Sequence, residues 1–308
     1  MKQQLKFDSE GRFKILQLTD IHYTFDNEDD KRAVSMAKDL ISREDPDFIM
    51  LTGDIVFGEN NLSYIDKAFA PVIGSGKPWG FVFGNHDVEF NSTREEFFSE
   101  VIKRPGCISY HDPDSVDGMG NCFLEVQNQA GEAKWILLGI DSGDYNRMKE
   151  VGGYGYVTSS QIAWYRKKMK EYKEKYSSFS VMTFMHMALP EHKEVWDYSE
   201  CYGSKLEGVC SPYVNSGFFT AMLEEGHMKA VFVGHDHMND YWGMHFGIAL
   251  GFGRYSGNSS YGSADYLRGG RVFIINEADT SGFETYVCLE NGKQLKEPFV
   301  NLPKKKRE

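Results

Sequence analysis

Seven side chains of this 308-residue chain have the type and spacing to hold metal ions. Asp20 and His22 stand two apart in QLTDIH, and His235 and His237 two apart in VFVGHDH. Asp54 lies in LTGDI, Asn85 in VFGNHD and His186 in TFMHM. Together they offer carboxylate oxygen, amide oxygen and imidazole nitrogen with no thiolate, a set that suits Mn, Fe, Zn or Co. Seven donors exceed the four that one closed zinc site needs, and two metals sharing a bridging carboxylate would use them all. In an extended segment residues i and i+2 point the same way, so Asp20 with His22, and His235 with His237, would each aim at one centre while Asp236 points away. Gly53, Gly84 and Gly234 precede donors, where a missing side chain permits sharp turns and close backbone approach.

Each block taken alone has an ordinary structural reading. Asp-x-His is weak, Gly-Asp is as often a turn, Gly-Asn-His-Asp fits a turn before a capped helix, and a single His186 fits a satisfied core histidine. What sets them apart is that every block follows a short apolar run. The C-terminal ends of such strands are where open α/β sheets gather their sites. His111, His192, His227 and His245 lack that setting and read as surface or packing residues.

The runs that must position these donors are strand-like: Phe13 to Thr19, Asp47 to Thr52, Trp79 to Phe83, Trp135 to Ile140, Phe179 to Met185 and Ala230 to Val233. All are rich in Val, Ile and Phe, as strands covered on both faces should be. Helical patterns alternate with them, from Asp30, from Ser92 with a Ser-x-x-Glu capping box, and from Thr158. Tyr241 to Leu289 reads as further strands joined by glycine-rich turns. The alternation predicts α/β layers, with residues 1–300 as one domain and 301–308 as a basic, solvated tail.

Composition narrows the partners. A formal net charge of -11 works against non-specific binding to nucleic acid or anionic membrane. No stretch approaches the ~20 apolar residues of a membrane span, and the opening residues lack the apolar core of a secretory signal, so the expectation is a cytoplasmic protein. The five cysteines are scattered without CxxC spacing, which favours buried thiols, although Cys201 and Cys210 are close enough in sequence to pair.

The ordered blocks Asp20-x-His22, Gly53-Asp54, Gly84-Asn85-His86-Asp87, His186 and Gly234-His235-Asp236-His237 resemble the calcineurin-like metallophosphoesterase superfamily. GYGYVTSSQIAWY, VNSGFF, KAVFVGHDHMNDY and GFGRYSGNSSYG resemble its stand-alone phosphohydrolases related to purple acid phosphatases, so the likeness spans nearly the whole chain. The resemblance implies a four-layer αββα sandwich, two mixed β-sheets flanked by helices, with a dinuclear centre at the strand ends. It implies one metal on Asp20, His22 and His237, a second on Asn85, His186 and His235, and Asp54 bridging them. In purple acid phosphatases a tyrosine three residues after the bridging aspartate binds ferric iron, whereas Phe57 stands there in this chain. Tyr23, one residue beyond His22, should point away. Purple tyrosinate chemistry is therefore not expected.

Such a centre would favour phosphate esters. Two dications carry about +4, two aspartates and a bridging hydroxide about -3, leaving roughly +1 toward the substrate. Exposed charges beyond a Debye length of about 8 Å do not cancel it. His86 is the candidate to protonate the leaving alkoxide or hold the phosphoryl group, with Asp87 as the partner that fixes its tautomer. Arg254 could fork onto a phosphate, or could be a surface arginine on a hairpin. The expectation is a phosphomonoesterase acting on small molecules or proteins through attack of a metal-bridging hydroxide. The alternatives are a phosphodiesterase or nuclease of the same superfamily and a non-catalytic metal-binding scaffold.

Overall fold

Continuous apolar runs can be buried only if both faces of their sheets are covered, and the chain solves this with two sheets packed face to face. The computed structural model describes residues 4–296 and 298–306. One sheet has six strands in the order Gln294–Leu295, Glu284–Leu289, Gly269–Asn276, Arg12–Leu18, Phe48–Thr52 and Trp79–Val82. The last three run parallel, with Ile15 opposite Phe48 and Ile49 opposite Trp79. The other has nine: Leu5–Lys6, Cys122–Gln127, Ala133–Gly139, Ser180–Phe184, Met228–Val233, Ile248–Phe252, Trp242–His245, Cys201–Tyr202 and Val300–Asn301. Its centre, from Ala133–Gly139 to Ile248–Phe252, is also parallel.

Three apolar layers separate four structural ones. Between the sheets, Ile15, Phe48 and Met50 meet Leu137, Met182 and Phe184, and Phe232 packs edge-on to Phe273 at 4.5 Å. Outside the six-stranded sheet, Ala33, Ala37 and Leu40 of helix Glu28–Glu44 cover Leu16, Ile49 and Leu51. Outside the nine-stranded sheet, Trp164, Tyr165 and Met169 of helix Ser159–Lys175 and Met222 of helix Phe218–Glu225 do the same. The result is the expected αββα sandwich.

Local signals are less exact than the layers. The first helix starts at Glu28, with Asn27 as N-cap and buried Asp30 closing a capping box. The helix expected from Ser92 is capped instead by Thr93 with Glu96, while the Ser92 hydroxyl accepts from Asn61 Nδ2. Val300–Asn301 pairs as an edge strand with Cys201–Tyr202, and Lys305 pairs with Asp197 at 2.6 Å, so the basic tail is docked at its start. Residues 307 and 308 lie outside the described residues. None of the five cysteines is in a disulfide, so Cys201 and Cys210 do not pair. No helix among the described residues is long and apolar enough to cross a membrane.

Candidate metal centre

The donors all follow the C-terminal ends of parallel strands. Asp20 follows Arg12–Leu18, Asp54 follows Phe48–Thr52, Asn85 follows Trp79–Val82, His186 follows Ser180–Phe184, and His235 and His237 follow Met228–Val233. Backbone hydrogen bonds lace these ends together: Asp20 N–H donates to Gly53 O at 3.0 Å, His22 N–H to Asp54 O at 2.9 Å and Gly234 N–H to His186 O at 3.1 Å. Gln17 ties the two sheets together just below, donating to Thr52 Oγ1 at 2.9 Å and Val233 O at 3.2 Å.

Two buried triads result, Asp20 with His22 and His237, and Asp54 with His186 and His235, the donor atoms of each lying within 4.8 Å of one another. His22 Nε2 is 3.1 Å from His237 Nε2 and 3.9 Å from Asp20 Oδ1. His186 Nε2 lies 3.2 Å from Asn85 Oδ1, which adds the amide to the second triad. Asp54 Oδ2 stands between the sets, 3.6 Å from His22 Nε2 and 3.2 Å from His186 Nε2.

The backbone reaches this arrangement by a route different from the extended one expected. Asp20, His22, Asp54 and His235 have φ of +56°, +50°, +52° and +71°, in the left-handed region. Such conformations each cost of order 1 kcal/mol or more and persist where the surroundings enforce them, as at functional sites. Tight left-handed turns, not the two-residue repeat of a strand, bring Asp20 and His22 together. Close approach also explains two glycines: a Cβ on Gly84 would lie 2.1 Å from Asp54 Oδ1, and one on Gly234 2.1 Å from Thr19 Oγ1.

Protonation reflects burial set against the charges of the donors themselves. Burial, only partly offset by Asp54, pushes His22 down to about 4, and burial with repulsion from His186 pushes His235 down to about 3. For His186 burial acts in the same direction, but Asp54 outweighs it and raises the imidazole to about 10. Burial would raise Asp54, yet His186 and His22 hold it well below the usual carboxylate range. No lysine or arginine pairs with Asp20 or Asp54 among the described residues. Tautomers are set from behind. His186 Nδ1 donates to Thr52 O at 2.8 Å and His237 Nδ1 to Tyr261 O at 3.0 Å, leaving each Nε2 toward the centre. Two carboxylates, four inward imidazoles and an amide, buried with no lysine or arginine paired to them among the described residues, are a donor set that fits two divalent transition-metal ions.

Around this centre two expectations need correction. Asp87 is not the partner of His86. It is fully buried, and its carboxylate accepts backbone N–H from Ile55 at 2.8 Å and Val56 at 3.1 Å on Oδ1, and from Asp54 at 2.9 Å and Gly84 at 2.7 Å on Oδ2. Burial and the charge of Asp54 push it up to about 6 against the pull of those donors. The partner is Glu89, whose Oε2 is 2.5 Å from His86 Nδ1 and whose Oε1 accepts from Tyr145 OH at 3.2 Å. Arg254 does not reach solvent. It is buried, with Nη1 2.7 Å from Asp240 Oδ2, Nε donating to Leu267 O and the guanidinium 3.2 Å from the Tyr266 ring centroid. Each of its three nitrogens donates within the fold, Nε and Nη2 to Leu267 O and Nη1 to Asp240.

Other details follow the sequence or add to it. Tyr23 OH donates to Asp26 at 2.5 Å, and Phe57 stands edge-on to His22 at 5.9 Å. Asp236 accepts from Cys210 N–H at 3.2 Å and Asn239 Nδ2 at 3.1 Å. Tyr255 and Tyr261 sandwich His237, both at 4.1 Å, and fix its plane. Only the aromatic content of GFGRYSGNSSYG signalled that role.

The calcineurin-like phosphoesterase family matches residues 13–239, which carry every donor named above. The chain belongs to that family. It is thereby a metal-dependent phosphoric ester hydrolase by class. It is 34% identical to the Arabidopsis thaliana protein named probable inactive purple acid phosphatase 14, over 88% of this chain and 77% of that one. It is 29% identical to phosphatase DCR2 of Saccharomyces cerevisiae, over 78% of this chain and 46% of the yeast protein. Among solved structures, a dimetal phosphatase from Danio rerio superposes with a TM-score of 0.60 at 13% identity, covering 89% of this chain and 98% of that one. The yellow lupin purple acid phosphatase superposes with a TM-score of 0.56 at 10% identity, over 94% of this chain and 53% of that one. Both share the fold.

Proposed function

We propose that the chain is a dinuclear phosphomonoesterase. In this reading Asp20, His22 and His237 hold one divalent ion, Asn85, His186 and His235 hold the other, and Asp54 is shared, with Mn, Fe, Zn or Co as the candidate metals. The observation that carries it is the position of Asp54 Oδ2, within 3.6 Å of His22 Nε2 and 3.2 Å of His186 Nε2, so that one carboxylate reaches both triads. When bound, the ions would supply Lewis acidity toward phosphoryl oxygens and a water of lowered pKa.

The remaining work falls to the chain. His86, half-buried at the mouth, has Nδ1 engaged by Glu89, which leaves Nε2 as the nitrogen able to protonate a departing alkoxide or hold a phosphoryl oxygen. Asp87 acts earlier, by fixing the turn that presents Asp54. Thr52 O and Tyr261 O keep His186 and His237 in the tautomer that faces inward. A second reading, a metal-binding protein without turnover, draws on the word inactive in the names of the plant relatives. The complete donor set and the presence of His86 favour hydrolysis. A net charge of -11 argues against a polyanionic nucleic-acid substrate. Turnover of phosphomonoesters by protein reloaded with Mn, against the same protein after chelation, tests the reading. Metal uptake with no turnover on any ester would favour the non-catalytic alternative.

A further inference from the structure

Aromatic side chains surround the donors on two sides, and Tyr145 and Phe90 among them are about half exposed. Tyr154 stands edge-on to His235, ring centroids 4.5 Å apart. Tyr145 lies beside it, 6.1 Å away and within 20° of parallel, and the two residues face each other across an isolated antiparallel bridge. Asn146 N–H to Gly153 O and Gly155 N–H to Asp144 O, both 2.9 Å, close the same loop, so the pair is held by backbone bonds. Tyr145 is 48% exposed. Its hydroxyl is already given to Glu89, so what it offers solvent is chiefly its ring. On the other flank Phe57 meets His86 at 4.5 Å and leads to Phe90, 5.7 Å further out and 47% exposed. The donors thus lie between two aromatic walls. Tyr145 also lines an adjacent cavity of about 370 Å³, with Arg94, Arg147 and Thr158.

Half-exposed aromatic rings carry a standing cost in water unless something covers them, and two near-parallel rings held side by side offer faces and edges whose best partner is another ring. Tyr154 touches a residue of the donor set, so a ring resting on this wall must sit close to the phosphoryl group. An alkyl or sugar leaving group would instead be served by hydrogen-bond donors, and the hydroxyl of Tyr145 is spent on Glu89. We propose that Tyr145 and Tyr154 form a leaving-group subsite that selects aryl phosphate monoesters, in which a planar ring is joined directly to the ester oxygen. This rests on the phosphomonoesterase reading of the centre. The ring could belong to a small phenol or to a tyrosyl side chain. The volume beside Tyr145 would receive whatever the ring carries.

Binding, not turnover, tests the subsite, because aryl esters are intrinsically more reactive. Metal-loaded protein is titrated by calorimetry with phenylphosphonate and methylphosphonate, neither of which can be hydrolysed, at a pH where both are dianions. Phenylphosphonate is expected to bind about 3- to 10-fold tighter, the scale of one aromatic contact. Tyr145→Ala should bring the two affinities within about twofold, while Tyr145→Phe, which keeps the ring and loses the bond to Glu89, should retain the preference. Equal affinities in the unaltered protein, or a preference that survives Tyr145→Ala, would overturn the subsite alone. Failure of both phosphonates to bind loaded protein would overturn the phosphoesterase reading of the centre and the subsite with it. The free amino acid 4-(phosphonomethyl)phenylalanine, a tyrosyl phosphate analogue that cannot be hydrolysed, serves as the competing ligand for the tyrosyl source: displacement of phenylphosphonate supports a ring-only determinant, and no displacement overturns it.

Discussion

Asp87→Asn separates holding the centre from doing its chemistry. The substitution keeps the volume and one carbonyl oxygen but replaces the other acceptor with an NH₂ group. In the structure Oδ1 accepts from Ile55 and Val56, and Oδ2 from Asp54 and Gly84. Whichever way the amide turns, two buried backbone N–H groups lose their acceptor and face donors. At about 1 to 3 kcal/mol per buried unsatisfied group, the loss is about 2 to 6 kcal/mol. It falls on the turn that presents Asp54, so metal affinity should fall with stability. The assay is denaturant unfolding of the metal-free protein at pH 8, above the pKa of about 6 and so with the carboxylate ionised, paired with Mn titration. A variant within 0.5 kcal/mol of the parent on the flat range of surface substitutions, with metal affinity intact and turnover reduced, would refute the scaffold role and restore Asp87 to catalysis.

Other outcomes follow from the same geometry. His86→Ala should lower kcat by about 10²- to 10⁴-fold with both metals retained, and more on alkyl than on nitrophenyl esters, since a nitrophenolate needs little help to leave; equal losses would point to a histidine that stabilises phosphoryl charge. Protein loaded with iron should show no tyrosinate charge-transfer band, because Phe57 is in the tyrosine's place and Tyr23 OH is bonded to Asp26; a purple sample would refute the ligand set. Metal-free protein should lose stability on both sides of neutrality. His22 and His235, lowered from 6.5 to about 4 and about 3, leave the unfolded chain binding more protons, so Tm falls as pH drops from 6.5 toward 4. His186, raised to about 10, contributes fully below 6.5 and loses that contribution as pH rises toward 10. Metal loading should remove the alkaline loss, and a Tm of the chelated protein that stays flat from pH 7 to about 9.5 would contradict it.

How far such details can be read before folding depends on what sets them. The strands were legible because burial on both faces demands unbroken apolar runs, and Phe48–Thr52, Trp79–Val82 and Ser180–Phe184 are buried throughout. The convergence of the candidate donors was legible because each follows such a run. Their geometry was not, since nothing in Thr-Asp-Ile-His announces two left-handed residues. Neighbours in sequence also misled. Asp87 adjoins His86 yet turns into the backbone of another loop, while Glu89, three residues on, returns to pair with it. Arg254 sits in a segment of pocket-like composition, but its fate was decided by Asp240 and Tyr266, which the chain brings up from either side. Thr93 took the cap from Ser92 because Asn61, on a different helix, holds the serine hydroxyl.

The most direct test of the centre is elemental analysis of the purified, metal-reconstituted protein beside Asp54→Ala. Asp54 Oδ2 is the atom that reaches both triads, so the parent should hold two transition-metal ions per chain and the variant should lose both or hold them weakly enough to pass a desalting column empty. A single ion per chain, equally retained after Asp54→Ala, would contradict a shared carboxylate and the dinuclear centre built on it.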